Sequence, residues 1–168
     1  MLIKRSRQAF ITIALAWLAT AAGAAPAVSD CTAAASNLGR DVDVVEAVRA
    51  YTGADGASHL ETVKLPGQQG SYYGGSVKLT QFDLGDPSHV ALVYGHPNID
   101  IPVHPAPYRE IFILLSGSSE IRLADGTTHA LGPGSMFIAE DLGSTGRGGK
   151  AGPCGYVALD LQFKSIVK

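Results

Sequence analysis

His104-Pro105-Ala106-Pro107-Tyr108-Arg109-Glu110 runs straight into Ile111-Phe112-Ile113-Leu114-Leu115, and a Ser116-Gly117 break follows. Beyond it come an alternating polar and apolar stretch at residues 120–124, the pair Asp125-Gly126, a further short run, and Gly132-Pro133-Gly134. Asp-Gly between two alternating segments is a two-residue hairpin signal, and short apolar runs bounded by Gly, Pro and Asp read as strands. Side chains alternate along a strand, so Glu110, Phe112 and Leu114 share one face. Ile111, Ile113 and Leu115 take the other face and need cover, from a second sheet or from another subunit. The second option is the basis for expecting a homodimer.

The same grammar continues outward. Residues 76–84 alternate through Val77, Leu79 and Phe82, residues 90–94 form an apolar run, residues 136–139 follow Gly134, and Val157, Leu159, Leu161 and Phe163 alternate near the end. Residues 65–75, with Pro66, Gly67, Gly70, Gly74 and Gly75, read as a loop. Residues 42–51 fit either a short helix or a strand, with Val44, Val48 and Tyr51 on one helical face. Short strands separated by turns, with at most one short helix, indicate an all-β sandwich or barrel.

The first 24 residues stand apart from this domain. Lys4, Arg5 and Arg7 precede an apolar run over residues 10–22 that ends in Ala22-Gly23-Ala24, the layout of a cleaved secretory signal peptide. The apolar run is short for a membrane span, so no stable membrane anchor is expected. Residues 25–45 read as a mobile leader and residues 46–168 as the β domain. Cleavage would remove Lys4, Arg5 and Arg7 and no acidic residue, taking the formal charge from −2 to −5. A mildly acidic chain with scattered basic groups argues against nucleic acid or anionic lipid as a partner. Export to the periplasm or beyond favours a disulfide between Cys31 and Cys154, tying the N-terminal segment to the last strand, over two unpaired thiols.

The chain resembles single-domain cupins, the small jelly-roll β-barrels. His104 matches the first histidine of that family's first motif, Glu110 its carboxylate and Gly117 its closing glycine, while Gly126 and Gly132-Pro133-Gly134 match the second motif in outline. A cupin-like subgroup also shares the stretch from Tyr51 to His59, the His104-Pro105-Ala106-Pro107 segment, and Glu140-Asp141 before Thr145-Gly146-Arg147-Gly148-Gly149. The resemblance covers residues 46–163 and implies a jelly-roll barrel with a short N-terminal helical or extended segment. It departs from the family at two places: Ala106 and Gly149 stand where metal-binding relatives carry histidines.

Of four ordinary metal ligands, His104 and Glu110 remain, and two protein ligands hold a first-row metal poorly. The cofactor is therefore left unassigned, with a divalent metal on His104 and Glu110 the lesser expectation. The implied function is binding of a small organic molecule by His104, Tyr108, Glu110 and Phe112 in the barrel lumen. The alternative is an enzyme in which His104 and Glu110, brought to adjacent strands, act as catalytic groups: a metal-independent isomerase or epimerase, or a weak metal-dependent oxygenase. Several smaller expectations accompany these. Glu110 would find its cation in Arg109 or Arg122, and Glu140-Asp141 would cap a turn in preference to binding a cation. His59 would make a fold-defining hydrogen bond; His89, His96 and His129 would lie at the surface. The glycine-rich segment 143–149 lacks the lysine and helix of a phosphate cradle.

Overall fold

The computed structural model describes residues 43–164. Cys31 and the signal and leader assignments for residues 1–42 lie outside them. The described chain is all-β, and its only helical feature is a 3-10 turn at Tyr73–Gly75. Residues 42–51, ambiguous by pattern, enter strand β1 (Val44–Thr52). Its β-branched valines and tertiary pairing decide for the strand.

Strand β1 pairs antiparallel with β2 (Ser58–Pro66) and parallel with β9 (Met136–Glu140), making the sheet mixed. Next to β9 runs β7 (Arg109–Leu123), then β10 (Arg147–Phe163), then β5 (His89–Gly95). Strand β6 (Asp100–His104) also pairs with β10, and β8 (Thr128–Leu131) with β7. A separate hairpin joins β3 (Gln68–Tyr72) to β4 (Val77–Gln81). Residues 65–75 are thus not a plain loop: they contain the end of β2 and the whole of β3. Glycine-rich composition concealed strands whose cohesion comes from pairing rather than from side-chain burial.

The Ser116-Gly117 break does not end a strand. It bends one, for β7 continues through it and pairs with β10 on both sides. Gly117 has φ +76° and meets Gly155 of β10, φ +69°, so closely that a Cβ on Gly117 would sit 2.1 Å from the Gly155 carbonyl oxygen. The ladder register shifts here, between Ala151 and Tyr156 of β10. A paired bulge of this kind turns both strands together, and only residues without Cβ permit the approach. Cys154, beside this bend, is disulfide-bonded, and no free cysteine occurs among the described residues.

Period-two alternation sorts the apolar side chains onto two faces. On one, Phe112 and Leu114 pack with Phe137, Ala139, Ala50, Ala158, Ile121 and Leu131. On the other, Ile111 and Ile113 pack with Met136, Ile138, Ala47, Phe163 and Leu84. Full burial of such side chains contributes roughly 1.5–3 kcal/mol each. Ile111 and Ile113, which called for cover from a second sheet or another subunit, are thus packed by residues of the same chain. Leu115 alone of that trio is exposed, as are Val90, Leu92 and Tyr94 on the edge strand β5.

Candidate functional site

The face bearing Phe112 and Leu114 lines a cavity of about 410 Å3. His104, Tyr108, Glu110 and Phe112, the four residues singled out from sequence, all contribute to its wall, together with Arg147, Glu120 and Tyr156. Its size lies toward the lower end of the roughly 300–1,000 Å3 usual for ligand pockets.

The electrostatic centre of the site is Arg147, which sequence reasoning passed over as part of a glycine-rich loop. It is the first residue of β10 and is buried, at 5% exposure. Its Nη1 donates to Asp141 Oδ1 at 2.7 Å and its Nη2 to Glu110 Oε1 at 3.3 Å, while the guanidinium lies 5.0 Å from the centre of the Phe137 ring. Asp141 is fully buried and accepts a second hydrogen bond at 2.7 Å from the Ser58 hydroxyl. Asp141 is thus an anchor for Arg147 and β2 rather than a plain turn cap. Its neighbour Glu140 points to the opposite face, where Arg49 and Arg109 both donate to it.

The same alternation corrects the expected partners of Glu110. Arg109 precedes Glu110 on one strand and so faces away from it, reaching Glu140 and lying over Phe163. Arg122 pairs instead with Asp100, at 3.0 Å. The signal available in the sequence was that Arg147 is the sole charged residue between Gly143 and Gly149. No local pattern told which carboxylates would surround it.

Nor do His104 and Glu110 sit on adjacent strands. Strand β10 separates β6 from β7, and His104 pairs with Arg147 while Glu110 pairs with Gln162 and Ala139. His104 is exposed, with its Nδ1 donating to the Pro102 carbonyl at 2.8 Å. A carbonyl oxygen only accepts, so that hydrogen bond places a proton on Nδ1. Since His104 fills no core, His104→Ala is expected to leave unfolding free energy within about 1 kcal/mol of wild type, measured by urea denaturation.

Burial pushes Glu110 up to about 7; Arg147 offsets part of this, and the nearby charges of Asp160 and Asp141 add to it. Burial also pushes the Tyr108 and Tyr156 hydroxyls up, with Glu110 acting in the same direction on both. The folded-state value of Glu110 exceeds its ordinary 4.5, so its contribution to stability is fully present below about 4.5 and fades as pH rises toward 7. Glu110→Gln removes that titration. Its stability relative to wild type should therefore rise by on the order of 3 kcal/mol between pH 4.5 and 8, measured by urea denaturation at both pH values. A pH-independent difference would contradict the assignment.

The donors present do not fit a first-row metal. Among the described residues no three His, Cys, Asp or Glu side chains gather as a metal group. Glu110 is occupied by Arg147, and Ala106 is buried in the apolar core. At Gly149 a Cβ would lie 2.5 Å from the Glu120 carbonyl oxygen, so the backbone itself fills the place of a ligand side chain.

The remaining histidines carry no part of the site. His59 hydrogen-bonds Asp55 at 3.0 Å and stacks on Tyr51. His89 begins β5 and is exposed; His96 is exposed and lies edge-on to Tyr94. His129 is half-buried in β8 rather than at the surface. The residues of segment 146–149 belong to the tight packing of β10 between the β6 and β7 backbones, not to a cradle. No helix among the described residues is long and apolar enough to cross a membrane.

A scan against protein-family models and a search of curated proteins return no match to this chain.

Proposed function

We propose that this chain is an exported, periplasmic or secreted jelly-roll β-barrel of the cupin type whose lumen takes up a small organic molecule. The observation that carries this reading is that His104, Tyr108, Glu110 and Phe112 all contribute to one cavity of about 410 Å3. Its wall mixes apolar surface from Phe112, Leu114, Ile121, Leu131 and Phe137 with a few polar groups, the composition that orients a ligand within an otherwise apolar pocket. Where a metal-binding cupin would hold a cation, Arg147 supplies a permanent one between Glu110 and Asp141. Native mass spectrometry of protein recovered from its export compartment tests the reading. A small-molecule adduct that disappears in Leu114→Trp, which fills the cavity, is the expected result. Bare chain mass in every preparation would sink it.

A second reading, a metal-independent isomerase or epimerase, draws on the place of Glu110 in the cavity wall, where burial pushes its carboxyl up to about 7, the range that suits a proton-transferring group. In this reading Glu110 acts without a direct hydrogen bond to His104. Solvent deuterium appearing in a bound ligand with wild type but not with Glu110→Gln would favour it.

A further inference from the structure

Two unclaimed surfaces stand apart from the cavity, and each has what the other lacks. The first is the β3–β4 hairpin, which pairs with no other strand among the described residues. Its register sets Tyr72 opposite Val77 and Gly70 opposite Leu79, so Tyr72, Val77 and Leu79 share one face, and all three are exposed. Tyr73 stands at the tip, 85% exposed and at φ +53°, a backbone region that disfavours a bulky residue. A two-stranded hairpin by itself is at best marginally stable in water; a further strand, or packing against another element, secures it.

The second surface is β5, the last strand of the larger sheet, which pairs with β10 alone among the described residues. Val90, Leu92 and Tyr94 share one side of it and are each more than half exposed, Leu92 at 70%. Natural proteins blunt such edges with charges, prolines or bulges. From His89 to Gly95 this strand has no charged residue and no proline. The hairpin and β5 together hold seven of the eleven exposed large apolar side chains of the described residues. Charge avoids both: Lys78 is the sole Asp, Glu, Lys or Arg in residues 65–82, and residues 87–99 contain none. Exposed tyrosines and a depletion of charge are the composition of an interface core rather than of a solvated surface.

We propose that the chain forms a two-fold dimer in which the hairpin of each copy adds edge-on to β5 of the other. Tyr72, Val77 and Leu79 then lie beside the partner's Val90, Leu92 and Tyr94. The occupant is a second copy because one chain carries both halves of the contact, a hairpin short of a strand and an edge short of a neighbour. Within a copy, the connection between β4 and β5 is pinned to the sheet: Leu84 packs into the apolar face with Phe163, and the Ser88 amide donates to the Gln162 carbonyl at 2.8 Å. The seven side chains present on the order of 500 Å2 of apolar surface per copy. Two copies therefore bury about 1,000 Å2 before backbone and polar atoms are counted, the area a biological interface has to clear.

Sedimentation equilibrium of the purified full chain at micromolar concentration tests the proposal. The wild type should show twice the chain mass. Leu79→Lys and Leu92→Glu, each first checked for an unchanged circular dichroism spectrum, should each weaken the dimer tenfold or more; Leu79→Thr or Leu92→Thr replaces a variant whose spectrum changes. The double variant Leu79→Lys, Leu92→Glu sets opposite charges across both contacts and should dimerise at least tenfold more tightly than either parent. Val103→Lys, at an exposed position outside both surfaces, should leave the dimer intact. A monomeric wild type overturns the proposal, as does a dimer indifferent to both single variants or a double variant no better than its parents. A dimer that responds to one single variant and not the other also overturns it, in favour of hairpin on hairpin or β5 on β5.

Discussion

Arg147→Met should lower the unfolding free energy at pH 8 by about 3–5 kcal/mol, the range for removing one partner from a buried ion pair. A domain of this size has only about 5–15 kcal/mol of stability in total, so the variant should be marginally folded. The cause is not mainly a lost attraction. Asp141 and Glu110 would remain buried, at 0% and 7% exposure, with no cation between them. Asp141 keeps its Ser58 hydroxyl but loses its charged donor. The loss should shrink toward pH 5, because a carboxyl stranded in the interior takes up a proton rather than stay charged. In the triple variant Glu110→Gln, Asp141→Asn, Arg147→Met, most of the stability should return, since neither position 110 nor position 141 then holds a charge deprived of its cation. Urea midpoints with an unchanged slope decide the matter. A cost under about 1 kcal/mol for Arg147→Met at pH 8 would show that the three groups are solvated rather than mutually dependent.

Gly117→Ala should cost about 3 kcal/mol or more, because two penalties coincide. A non-glycine residue at φ +76° costs of order 1–3 kcal/mol in backbone strain. In addition the new methyl group would lie 2.1 Å from the Gly155 carbonyl oxygen and 2.7 Å from the Tyr156 Cα, atoms of backbone that cannot rotate away. Gly126 is the internal control. It sits at the Asp125-Gly126 hairpin tip with φ +87° and nothing within 4 Å of a built Cβ. Gly126→Ala therefore bears the strain alone, about 1 kcal/mol. The difference between the two variants measures the close approach at the bend. Equal losses would mean that β7 and β10 separate there at little cost.

Fold class was legible because it depends on local repetition. Alternation in Val157, Leu159, Leu161 and Phe163, the apolar run around Phe112 and the Asp125-Gly126 turn each declare strand or hairpin without reference to distant residues. Where composition and pairing disagreed, the pattern misled. Gln68–Tyr72 carries glycine and polar residues, yet forms β3 because β4 offers it a full set of backbone partners. Ser116-Gly117 reads as a stop, and only the opposing Gly155 turns it into a bend.

One stretch of the cavity wall was also legible, since His104, Tyr108, Glu110 and Phe112 stand within nine positions of one another and the last three alternate toward one side. Its charges were not. Arg147, Asp141 and Asp160 lie 31 to 50 positions beyond Glu110, and which of them meet is set by the register of β10 against β7 and by the turn after β9. The same holds for the outward face of β7: two unclaimed isoleucines in a sequence call for cover from a second sheet or another subunit, and the folded chain packs Leu84 and Phe163 against them.

What the amino-acid order determined unaided is the alternation that makes this an all-β chain and the face on which Glu110 sits. What three dimensions alone decided is the company Glu110 keeps: a buried guanidinium instead of a neighbouring arginine, and two buried aspartates instead of a histidine. The physical reason is range. Strand periodicity is written in residues two apart, but electrostatic partnership depends on distance in space, which long antiparallel pairing reassigns across most of the chain.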